Sequence, residues 1–92
     1  MIYADHVGEP ERRWLLDIPG CESKYDPWEV EPTTRATGLY QFEPPTWEET
    51  PEGRGHPERI YSAYWQAFAA HWGYHHLEHG PGEWACTAIL GL

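Results

Sequence analysis

Glu22 lies in the stretch Cys21-Glu22-Ser23-Lys24-Tyr25-Asp26-Pro27, just after an apolar segment of helical character. A second patch follows, Thr37-Gly38-Leu39-Tyr40-Gln41-Phe42. One acid followed by a glycine-led aromatic and amide segment suits the cutting of a sugar chain. A glycosidic oxygen leaves poorly unless it is protonated, so a general acid must carry its proton at the working pH. Apolar surroundings raise a carboxyl pKa and so keep that proton. Leu16, Ile18, Phe42 and Trp47 are the residues expected to wall Glu22 in this way. The plainer alternative for Glu22 is a solvated surface acid.

The rest of the second patch supplies candidates for holding the sugar. Gln41 carries amide donors and a carbonyl acceptor, suited to hydroxyl and N-acetyl groups. Tyr40 is expected to stack on a pyranose face, with Trp47 and Thr46 as further contacts. Trp28 and Trp84 could also stack, although a Trp in so small a chain more often belongs to the core. Thr46 has the equal alternative of capping a helix. Hydrolysis wants a second carboxylate roughly 5–10 Å from the first. Asp26, Glu29, Glu31 and Glu43 are close enough in sequence, but no motif fixes any of them.

His71, His75, His76 and His79 crowd one segment, with two i, i+4 pairs. That spacing can clamp zinc on a helix. HExxH is absent, Gly73 interrupts the segment, and no further ligand is forced close, so no metal and no cofactor is expected.

These residues need a frame. Residues 1–9 read as a loose lead-in and 10–92 as one domain. From Pro10 to Ile18 the pattern is helical, with Trp14, Leu15 and Ile18 on one side and Glu11 suited to the N-terminal dipole. Pro19-Gly20 should kink or break that helix, with one short turn resuming to Tyr25. Residues 26–37 read as loop or short extended structure, Gly38–Phe42 as a tight, semi-buried turn, and Pro44–Glu49 as a short helix. The strongest helix should start at His56-Pro57. Its apolar stripe of Ile60, Tyr61, Tyr64, Trp65, Phe68 and Trp72 would make the main core element, with Gly73 as a stop. A last short helix is expected from Gly82 to Ile89. The sum is a mainly α domain with little or no β structure.

The chain has 92 residues, which bounds it at one domain. Its net charge of −9 lacks the basic face that a nucleic-acid partner needs and disfavours anionic membranes. No apolar run approaches the roughly 20 residues of a membrane span. The N-terminus lacks the basic start and apolar stretch of a signal peptide. Cys21 and Cys86 stand 86 − 21 = 65 residues apart, unlike a CxxC pair. A bridge between them would contribute roughly 4 kcal/mol in the chain-entropy account. On spacing alone, two separate buried thiols remain equally open.

Glu22-Ser23-Lys24-Tyr25-Asp26-Pro27 is similar to the E-S-x-x-x-P motif of lytic transglycosylases and goose-type lysozymes, and Gly38-Leu39-Tyr40-Gln41 to their G-L-M-Q motif. Cys21 before Glu22, Thr46-Trp47 after Gln41-Phe42, and Trp84-Ala85-Cys86 near the end resemble the resuscitation-promoting factor branch and the transglycosylase-like domains of phages. The resemblance covers roughly residues 14–87. It departs at Arg35-Ala36, where Gly-Ala is usual, and in lacking a clear late Tyr/Asn motif.

The resemblance implies a lysozyme-like domain, expected to be a monomer, acting on peptidoglycan glycan strands between N-acetylmuramic acid and N-acetylglucosamine. Glu22 would be the single acid and base, Gln41 a substrate contact, and Cys21–Cys86 a disulfide. In transglycosylases one acid suffices, because the muramic acid 6-hydroxyl closes on the anomeric carbon to leave a 1,6-anhydro product. Hydrolysis by a true muramidase, or a silent glycan-binding module, are the alternatives. The expected place of action is the cell wall, reached by another export route or as part of a larger protein such as a phage virion or tail component.

Overall fold

In the computed structural model, which describes residues 3–92, four α-helices and three 3-10 turns surround one aromatic core. The α-helices are α1 (Glu11–Ser23), α2 (Pro44–Glu49), α3 (Ala63–His76) and α4 (Ala85–Ile89). Among the described residues, β structure is confined to two isolated bridges, Val30–Thr37 and Thr37–Phe42. The domain is therefore mainly α, and α2 and the 38–42 turn form where the sequence places them.

The core is built on Trp14. Its ring packs against Tyr40, Tyr74 and Trp84, and its indole N–H donates to Thr87 Oγ1 at 2.8 Å. Trp84 donates to the Tyr40 carbonyl at 2.8 Å, and Trp47 to the His56 carbonyl at 3.1 Å. Each of these buried indoles thus has an acceptor, which removes the cost of burying a lone donor.

Four features differ from the sequence reading. The lead-in is partly ordered: Tyr3–His6 form a 3-10 turn against α1 and α3, and Ala4 is in the core. The second difference is at Pro19-Gly20, where α1 runs on without a break to Ser23. Proline has no N–H to give the carbonyl four residues earlier, that of Leu15. The Tyr40 hydroxyl donates to that carbonyl instead, at 2.5 Å. At the next residue the Tyr25 hydroxyl donates to the Leu16 carbonyl at 3.1 Å. A long-range hydroxyl therefore stands in for the missing amide, and the helix survives its proline.

The third difference is α3. Pro57–Tyr61 form a 3-10 turn, and α3 begins only after Ser62, whose hydroxyl accepts from the Trp65 amide at 3.2 Å. Its buried side is Gln66, Ala67, Ala69, Ala70 and Gly73, not the aromatic stripe. Tyr64, Trp65 and Phe68 contact one another; Tyr64 is exposed, and Trp65 is only partly buried against the core. Small residues win the inner face because α3 lies close to bulky rings. A Cβ on Gly73 would come within 2.8 Å of the Trp84 ring, so Gly73 serves packing inside the helix rather than ending it. The fourth difference is at the C-terminal end, where a 3-10 turn at Gly80–Glu83 precedes α4.

Candidate active site

The last turn of α1 carries Glu22. Beyond it Lys24 and Tyr25 both adopt left-handed conformations (φ of 55° and 61°), which reverse the chain at once. The Tyr25 amide closes onto the Pro19 carbonyl at 3.2 Å. Ser23 is buried and its hydroxyl lies 2.8 Å from the Leu39 carbonyl, tying the helix end to the second patch.

That patch is a tight loop held by a buried amide. Gln66, with no solvent exposure, accepts from the Tyr40 amide at 2.7 Å and donates to the carbonyls of Thr37 and Ile60 at 2.8 and 2.6 Å. Gly38 sits directly against it with φ of +87°. A Cβ there would lie 2.3 Å from Gln66 Nε2, so only glycine fits. Thr37 and Phe42 exchange backbone hydrogen bonds at 2.9 and 3.1 Å and close the loop. Ser23, Gln66 and Gly38 thus set the distance between the two halves of the site.

Cys21 and Cys86 form a disulfide with a Cα separation of 6.0 Å. It brings the start of α4 against the end of α1, and the Cys86 amide donates to Glu22 Oε2 at 3.4 Å. Glu22 opens into a cleft of about 400 Å³, lined also by Gln41, Phe42, Thr46, Trp84 and Glu31. Burial raises the Glu22 pKa above the usual carboxylate value, and the Cys86 amide only partly opposes it. The charged form is desolvated here with one long hydrogen bond in return, so the neutral acid is favoured.

Other cleft groups are already engaged. Gln41 Nε2 donates to the carbonyls of Gly38 and Glu29 at 2.9 and 3.0 Å, which orients the amide at a backbone φ of 56°. Its side-chain oxygen meets no donor among the described residues. Glu31 Oε2 accepts from the Thr33 and Thr34 amides and the Thr34 hydroxyl at 2.9, 2.6 and 2.9 Å. These hydrogen bonds hold the Glu31 pKa below its ordinary value. The cleft therefore contains one carboxyl pushed towards the acid and another held as the anion. Glu43 and Glu83 also line it, whereas Asp26 and Glu29 do not.

The structure brings together Glu22, Gln41, Thr46 and the disulfide, and separates two expected contacts from them. Tyr40 is fully buried beneath the cleft, stacked near Trp14 with its hydroxyl on Leu15, so it has no face for a sugar. Burial pushes its phenol pKa up. Trp47 is buried against Phe42 and borders a different cavity, with Arg35, Pro57 and Ile60. Of the expected apolar wall, Phe42 alone faces the cleft; Leu16, Ile18 and Trp47 do not, and Trp84, Leu77 and Ala36 take their place. Trp28 is exposed (69%) and stacks at 5.3 Å on the exposed ring of Tyr61.

Ser23 and Gln66 were missed as site residues because each acts through backbone carbonyls distant in sequence. For Ser23 the signal was its place beside Glu22; Gln66 had only its position as a polar residue within an apolar segment. No protein-family model, curated protein or solved structure matches this chain.

Proposed function

We propose that the domain cleaves peptidoglycan glycan strands, with Glu22 as the catalytic acid. The observation that carries this reading is the state of Glu22: a carboxyl with a raised pKa, opening into a cleft whose other face is the Gly38–Phe42 loop. The motif resemblance of the two segments supplies the substrate class. Glu22 protonates the glycosidic oxygen, and the muramic acid 6-hydroxyl attacks the anomeric carbon and loses its proton to the resulting carboxylate. Both proton transfers then use one group, and the product is a 1,6-anhydro sugar. Gln41 contributes its amide oxygen to a sugar hydroxyl or N-acetyl N–H, and Thr46 its hydroxyl.

A second reading rests on Glu31. Its three hydrogen bonds hold a carboxylate on the same cleft, which suits a hydrolase in which water attacks. Mass spectrometry of digested peptidoglycan separates the two. Anhydro-muropeptides lost in Glu22→Gln and retained in Glu31→Gln support the single-acid route. Reducing ends, lost in both variants, support hydrolysis. Binding to insoluble peptidoglycan with no new products from the unmodified protein would overturn both and leave a glycan-binding module.

A further inference from the structure

The opposite end of α1 carries a constellation that the cleft does not use. Glu11, in the first turn, is almost fully buried, its side chain only 9% exposed. Both of its oxygens face imidazoles from α3: Oε2 lies 2.5 Å from His71 Nδ1 and Oε1 lies 2.7 Å from His75 Nε2. One donor atom from each of the three residues falls within 4.8 Å of the others. Glu22 is 22 − 11 = 11 residues further along the helix, about 16 Å at the usual rise. The two places are therefore chemically separate.

We propose that Glu11, His71 and His75 form a binding site for a divalent transition-metal ion of the zinc type. The donor set of two imidazoles and one carboxylate is one of those that hold zinc with an open fourth position. The i, i+4 spacing of His71 and His75 presents both rings on one side of α3, and their rings meet in a T-shaped arrangement with centroids 4.9 Å apart. Glu11 supplies what the histidine spacing lacked, a third ligand fixed by another helix. Zinc bonds of about 2.0–2.1 Å would place adjacent donors roughly 3.3 Å apart in a tetrahedron. Each Glu11–histidine contact needs to open by less than about 1 Å to admit the ion. His71 and His75 are partly exposed at 33% and 48%, so their rings have room to turn about the buried Glu11. The net charge of −9 draws cations to the surface. Bound metal would fasten the start of α1 to the second half of α3, just as the disulfide fastens its end to α4.

The test uses untagged protein stripped with chelator and titrated with ZnCl2 in a calorimeter. One equivalent of zinc should bind, and saturating zinc should raise the melting temperature by about 10 °C. Cobalt(II) in place of zinc should give the visible absorption of a tetrahedral site. His75→Ala and Glu11→Gln should weaken binding at least tenfold, whereas His76→Ala should not. If Glu11→Gln fails to fold, His75→Ala decides, because that side chain is half exposed. No uptake of zinc by the unmodified protein, or uptake unchanged in His75→Ala, would overturn the site.

Discussion

The two ends of α1 hold acids in opposite condition. Glu11 is the more buried, yet both of its oxygens meet ring nitrogens at hydrogen-bonding distance. Glu22 is less buried, yet among the described residues its one hydrogen-bond partner is a backbone amide at 3.4 Å. Burial alone therefore does not set what a carboxyl does. What counts is whether the donors that water supplied are replaced. At Glu11 they are, and the acid acts as a clamp between helices. At Glu22 they are not, and the acid is left favouring its proton beside an open cleft.

The sharpest way to break this contrast is Glu22→Gln. Muralytic activity should fall by about 10²–10⁴-fold, the usual contribution of a positioned general acid. Stability should move the other way. A carboxyl whose pKa is raised by folding binds its proton more tightly in the folded state, so charging it as pH rises past the unfolded value costs stability. Glu22→Gln should therefore melt higher than the unmodified protein near neutral pH, with the gap closing in acid; calorimetric scans across pH check this. By the same sign, activity should fall as pH rises through the raised pKa of Glu22. A variant that keeps full activity would remove Glu22 from the chemistry.

Cys86→Ser removes the strap behind Glu22 and should cost roughly 4 kcal/mol, seen as a large fall in urea midpoint. Glu11→Gln gives the mirror image of the Glu22 variant. It should lose about 2 kcal/mol of stability and keep activity at temperatures where it is folded. Loss of activity in fully folded Glu11→Gln would show that the two ends are coupled. The smallest effect is expected at Tyr40→Phe, which leaves the Leu15 carbonyl without its donor at a cost of about 1 kcal/mol, or some 4–8 °C in melting temperature.

What the sequence made legible was chemistry expressed locally. Glu22, Gln41 and Thr46 reach the cleft, and α2 forms at Pro44–Glu49, because a proline start and a short motif carry their own signal. Side-chain direction was not legible. Tyr40 is next to Gln41 in the chain, yet it points into the core, because Gln66 and Ser23 fix the loop from beneath. The inner face of α3 was hidden for another reason. Ala67, Ala69, Ala70 and Gly73 have little apolar weight beside Trp65 and Phe68, so periodicity favoured the wrong side. The metal-type cluster was half visible, since its third member stands 60 residues away from His71.

Pro19 and Tyr40 form a pair whose members are meaningful only together. The ring of Pro19 withholds an amide, and the hydroxyl of Tyr40 supplies its substitute at Leu15. An amide restored at position 19 would compete for the same carbonyl and strand the phenol. Inherited change at these two sites should then be correlated: proline tolerated where tyrosine stands, and phenylalanine admitted only where position 19 has regained its amide. The residue that resembled a substrate contact is, in those terms, half of a two-letter word spelled across the fold.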